Sequence, residues 1–94
     1  MEFETFTASL VDNLPPTAVS AYLQALWYDA HGDWDKAHHI IQDFPGAEAS
    51  WIHAYLHRKE GDAGNARYWY SKAGKPFPQT SLQQEWEHIV KALL

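Results

Sequence analysis

Histidine is the residue type in this chain whose spacing is best suited to chemistry. Among the six histidines, His53 and His57 lie one helical turn apart and so share a helix face. Glu60 follows after one further turn, and imidazoles with a carboxylate form a ligand set that zinc accepts. Hydrogen-bonded histidines between packed helices have the same spacing, and the sequence favours that interpretation. The adjacent His38 and His39 are expected on a solvated helix face, so no metal ion and no cofactor are assigned.

A wider set of polar residues surrounds the same segment. It comprises His53, His57, Arg58, Glu60, Asn65 and Tyr68. Two interpretations remain open for this set: a network that holds a helical turn closed, and a pocket for a small polar ligand. The network is favoured, because charged residues at helix ends commonly cap and pair.

Other chemistry is poorly represented in the chain. It contains no cysteine, which excludes disulfides, thiolate ligands and cysteine nucleophiles. Carboxylates paired for hydrolysis are not evident, because Asp33 and Asp62 stand where helix caps are needed. No catalytic residue is assigned, and enzymatic activity is not predicted.

The charge balance argues against two classes of partner. Lys and Arg total 7 and Asp and Glu total 12, which gives a net charge of −5. An acidic chain repels a phosphate backbone, so nucleic-acid binding is not expected. No apolar run approaches the roughly 18–20 residues that a membrane span requires. With no signal peptide evident, the expected location is the cytoplasm.

An internal repeat defines the elements that position these residues. Gly32-Asp33 with Ala37 recurs as Gly61-Asp62 with Ala66. In each copy the glycine suits a helix C-terminus, and the aspartate after it suits the cap of the next helix. The pattern predicts two helical hairpins, over residues 17–44 and 47–74, in a single domain that spans residues 1–94.

The two ends of the chain are predicted as further helices. Residues 80–94 carry an apolar stripe, and Ser81 with Gln84 fits a capping box. This segment is expected to cap the open end of the second hairpin. Phe3, Phe6 and Leu10 fit helical spacing, and a short N-terminal helix is favoured over a strand. The predicted fold class is therefore all-α.

The repeated turns resemble those of the tetratricopeptide repeat. In that family a small residue stands seven positions before the glycine, as Ala25 and Ala54 do here. Residues 66–74 are similar to the Sel-like variant. The segment HAYLHRKEGD at residues 53–62 also resembles a set of short uncharacterised microbial proteins, and the likeness covers residues 20–94. The resemblance implies a helical fold and no particular activity.

The same resemblance implies a binding groove, since the first helix of each such hairpin lines a concave face. On this chain the groove residues would be Tyr22, Leu26, Asp29, Trp51, Tyr55 and Arg58. Aromatic side chains beside an arginine are typical of protein-binding hot spots. The leading hypothesis is a small interaction module that binds a protein segment or self-associates as a homodimer. The alternatives are that a terminal helix, here the N-terminal segment, covers this face, or that the polar set belongs to a protein that binds a small ligand or a metal ion, with or without enzymatic activity.

Overall fold

A computed structural model covers all residues of the chain, 1–94, which form six α-helices and no strand. The helices are α1 (Phe3–Ala8), α2 (Ala21–Ala30), α3 (Trp34–Ile41), α4 (Ala47–Glu60), α5 (Ala63–Ala73) and α6 (Leu82–Leu93). A 3-10 turn, Ser9–Val11, extends α1. The predicted all-α class and the short N-terminal helix are confirmed. None of the six helices has both the length and the apolar character needed to cross a bilayer.

The repeated glycine and aspartate form the turns of two helical hairpins, α2 with α3 and α4 with α5. Gly32 and Gly61 have φ values of +90° and +91°, a left-handed conformation that favours glycine. The side chains of Asp33 and Asp62 then accept the backbone N–H three residues further on, at 3.1 and 3.2 Å. Each turn therefore ends one helix and caps the next, as the pattern predicts.

The first hairpin begins later than predicted. Helix α2 starts at Ala21 rather than near Thr17, because the hydroxyl of Ser20 accepts the backbone N–H of Leu23 at 3.2 Å and caps the helix there. Pro15 and Pro16 precede this cap in a non-helical segment. Proline suits the first turn of a helix, but a serine cap further along outweighs that preference here.

Helix α6 lies across the first helices of both hairpins. The indole N–H of Trp86 donates to the Leu26 carbonyl oxygen of α2 at 2.9 Å. This segment packs on α4 of the second hairpin and also on α2 of the first, so it contacts both hairpins. Its start is as predicted, with Ser81 and Gln84 forming a capping box. Helix α1 packs its Phe6 ring against Trp86, with 6.2 Å between ring centroids.

A buried carboxylate fixes α6 in place. Glu85 is 2% exposed and accepts hydrogen bonds from three side chains. The donors are the Trp51 indole at 3.1 Å, the Arg58 guanidinium at 2.9 Å and the Tyr70 hydroxyl at 2.6 Å. Arg58 also donates to the Thr80 carbonyl oxygen. Because α4 and α5 both contribute donors, this one side chain joins α6 to the second hairpin.

We expect Glu85→Ala to lower the free energy of unfolding by about 3–5 kcal/mol, since it leaves the half-buried Arg58 charge and the buried Tyr70 hydroxyl without their partner. Glu87→Ala, on the same helix, changes it by no more than about 0.5 kcal/mol. Urea denaturation followed by circular dichroism measures both. A loss below about 1 kcal/mol for Glu85→Ala would show that the network does not hold α6.

Candidate metal centre

Three histidines from two helices meet at one place, and we call His38, His53 and His57 the histidine cluster. One ligand nitrogen from each lies within 4.8 Å of the other two. The closest pair is His38 Nε2 and His53 Nε2, which are 3.0 Å apart and share a hydrogen bond. His38 belongs to α3, while His53 and His57 lie on α4. The cluster therefore joins the two hairpins.

Aromatic packing positions the cluster. Trp34, His38 and Ile41 share one face of α3, and the Trp34 indole donates to the Leu56 carbonyl oxygen of α4 at 2.9 Å. Trp34 also stacks on the His38 ring, with centroids 5.0 Å apart. From α5, Trp69 stacks on His53 at 4.0 Å. The imidazoles are thus held between two indoles, which limits their rotation.

A carboxylate orients the third histidine. His57 Nδ1 lies 2.6 Å from an oxygen of Glu60, one turn further along α4. An imidazole that donates one N–H to a carboxylate presents its other nitrogen to a metal, and this arrangement accompanies most metal-bound histidines in proteins. Glu60, predicted as a third ligand, therefore stands behind His57 and leaves Nε2 free to coordinate.

Two carboxylates lie beside the cluster, next to His57. Oxygens of Glu60 and Asp62 lie within 4.8 Å of each other and of a His57 nitrogen. The two neighbouring cations, Arg58 and Lys59, turn away and bind buried carboxylates of α6 and α2 at 2.9 Å each. The local field therefore favours a bound cation over an anion.

Burial favours the neutral form of two of the clustered imidazoles, His53 and His38. It lowers the pKa of His53 to about 4, with smaller contributions from the neighbouring His38 and His57. Burial also lowers the pKa of His38, and His57 contributes to this shift. A neutral imidazole is the form that binds a metal, so these histidines need not lose a proton near neutral pH.

The nitrogen separations suit a tetrahedral ion. Two nitrogens bound to zinc at about 2.0–2.1 Å lie roughly 3.3–3.4 Å apart. The 3.0 Å between His38 and His53 is a few tenths of an ångström shorter, and the three ligand nitrogens all lie within 4.8 Å of one another. His38 is half-buried. Coordination of one ion by all three nitrogens would require them to move from these separations toward about 3.3–3.4 Å.

Only part of the predicted polar set lies at this centre. His53, His57 and Glu60 do, whereas Arg58 binds Glu85 of α6. Asn65 donates its side-chain amide to Asp62 at the turn, and the exposed Tyr68 rests its ring edge on Trp69. The expectation that His38 is solvated was wrong. The spacing of Trp34, His38 and Ile41 places His38 on the inner face of α3, and this signal was present in the sequence.

The predicted groove residues pack within the chain. Leu26, Asp29 and Tyr55 are buried, and Tyr22, Trp51 and Arg58 are half-buried. Helix α6 lies on this face, as the Trp86 and Glu85 contacts show, with α1 beside it. A terminal helix therefore covers this face, and it is the C-terminal α6 rather than the N-terminal segment that was expected there.

No protein-family model, curated protein or solved structure matches this chain. The resemblance to tetratricopeptide repeats therefore stays a prediction, and the function is argued from the geometry of the histidine cluster.

The shifted pKa of His53 makes stability depend on pH. The pKa is about 4 in the folded chain, against the ordinary 6.5 that applies when the chain unfolds. Between these values the unfolded chain binds a proton that the folded chain does not. The contribution of His53 to stability is therefore complete above pH 6.5 and is lost as the pH falls toward 4.

We expect the free energy of unfolding of the metal-free protein to fall between pH about 7 and pH about 5, and more steeply in wild type than in His53→Gln. The difference should be on the order of 1 kcal/mol, measured by urea denaturation at each pH. His39→Gln, which changes an exposed neighbour, should keep the wild-type slope. Equal slopes for wild type and His53→Gln would contradict this account.

Proposed function

We propose that this chain is a small helical protein that binds a divalent transition-metal ion of the zinc class through His38, His53 and His57. The observation that carries the proposal is the convergence of three imidazole nitrogens, from two helices, within 4.8 Å. Nitrogen donors favour zinc, nickel, copper or cobalt over calcium and magnesium, which prefer oxygen ligands.

The surroundings of the cluster support the same proposal. Glu60 holds His57 with Nε2 available, as the carboxylates behind zinc-bound histidines do. The two indoles restrict the rings, so that little side-chain entropy is lost on binding. The nearby carboxylate of Asp62 adds negative charge without occupying the centre. Each feature favours a cation at this place.

A bound ion would link α3 to α4, and so the first hairpin to the second. An ion that binds the folded chain and not the unfolded chain would stabilise the folded state by mass action. Three histidines leave the fourth tetrahedral position to water or to a group from another molecule. That a protein segment or a second copy of the chain binds this protein, in the cytoplasm, stays a prediction. Such a partner could supply the group for the fourth position.

We expect the protein, freed of metal by a chelator, to bind one Zn²⁺ or Co²⁺ per chain. Bound Co²⁺ should show the visible absorption of a tetrahedral centre, and Trp34 and Trp69 fluorescence should change. His38→Gln and His53→Gln should each weaken binding at least tenfold, and Glu60→Gln by roughly 10–100-fold. Isothermal titration calorimetry gives the affinities.

His39→Gln and His88→Gln are the matched controls, since both change exposed histidines and should leave the affinity within about twofold. Circular dichroism verifies that every variant folds. The proposal fails if wild type binds no ion, or if His38→Gln and His53→Gln bind Zn²⁺ as tightly as the two controls.

A further inference from the structure

A cavity lies on the face of α4 that is turned away from the histidine cluster. The cleft runs between the α1 segment, α2, α4 and α6, has a volume of about 320 Å³, and is called here the α6 cleft. Its α4 residues, Tyr55 and Lys59, each lie two positions beyond a cluster histidine, about 200° around the helix. The size is at the lower end of the range for ligand pockets and suits a small metabolite.

A polar triad of Asp29, Tyr55 and Lys59 lines part of the cleft. The Asp29 carboxylate is 2% exposed and accepts from the Tyr55 hydroxyl at 2.8 Å and from Lys59 Nζ at 2.9 Å. Burial raises the pKa of Tyr55, so its hydroxyl stays protonated and continues to donate. Both oxygens of Asp29 therefore have donors within the chain, which leaves the carboxylate poorly placed to bind a cationic ligand.

Lys59 is the group of the triad that remains available. Its side chain is 38% exposed, and only one of its three ammonium donors is used by Asp29. The ion pair holds Nζ in position, which lowers the entropy lost when a ligand binds. An ammonium with free donors at the edge of a cavity recognises an anionic oxygen.

The walls of the cleft define the rest of the ligand. Leu10, Ala30 and the buried Trp86 form an apolar side, while Thr7 and Gln83 contribute polar groups. An apolar body can lie against the first three residues while a charged end reaches Lys59. We propose that the α6 cleft binds a small organic carboxylate, with its carboxylate on Lys59 and a short apolar body against Leu10, Ala30 and Trp86.

The test is a titration of the isotope-labelled protein with isovalerate, followed by its backbone amide and indole N–H signals. A chelator is present throughout, so that the outcome is independent of the metal proposal. Isovalerate should saturate the cleft with a Kd on the order of 1 mM. The largest changes in chemical shift should be those of Trp86, Gln83 and Lys59. Isovaleramide and isoamylamine, which keep the body and lose the negative charge, should bind at least tenfold more weakly.

Two variants separate recognition from stability. Lys59→Met removes the ammonium, while Ala30→Leu fills the cleft from an exposed helical position and leaves the triad intact. Each should weaken isovalerate binding at least tenfold. Lys72→Met, an exposed lysine on α5, is the control and should bind as wild type does. N-acetyl-leucine tests the source of the carboxylate: tighter binding than isovalerate indicates a peptide C-terminus, and weaker binding a free acid.

The proposal is overturned if isovalerate does not saturate below about 50 mM, if isovaleramide binds equally well, or if Ala30→Leu binds isovalerate as tightly as wild type. The last result is decisive because this variant retains the Asp29, Tyr55 and Lys59 triad.

Discussion

The buried carboxylate of Glu85 determines where the last helix lies, and the rest of the structure follows from that placement. A charge with this little exposure is tolerated only where donors surround it, and Trp51, Arg58 and Tyr70 provide them from two helices. Helix α6 could not move to another face without leaving those donors and the carboxylate unpaired. The hydrogen bonds of Glu85 therefore add a directional constraint to the apolar packing of Trp86, Ile89 and Val90.

The position of α6 divides α4 into two surfaces with different uses. The side that carries Trp51 and Tyr55 meets α6 and becomes part of the core. The side that carries His53 and His57 meets α3 and α5, where Trp34 and Trp69 stack on the histidine cluster. One face of α4 is therefore packed against a terminal helix, while the other brings the imidazoles of three histidines together.

Local features of this fold were predictable from the sequence, and long-range ones were not. The Gly-Asp turns and the Ser81 cap depend on residues within one turn of each other, so the pattern gave their positions directly. The position of α6 depends on the contact between Glu85 and Arg58, which are 27 residues apart in the sequence. The periodicity of apolar residues does not predict that contact. His38 lies between these cases. Its spacing from Trp34 predicts an inward face, but its meeting with His53 depends on how the two hairpins pack.

The hydrogen bonds of the cluster bear on what a metal would do for this protein. His38 pairs with His53 and His57 pairs with Glu60, and no buried side-chain nitrogen or oxygen lacks a partner. The hydrogen bonds of the cluster are therefore satisfied within the chain. A metal that enters must replace the His38–His53 hydrogen bond, and the loss of that bond subtracts from its affinity. Such a centre is suited to reversible binding, in which the ion tightens a structure that already exists.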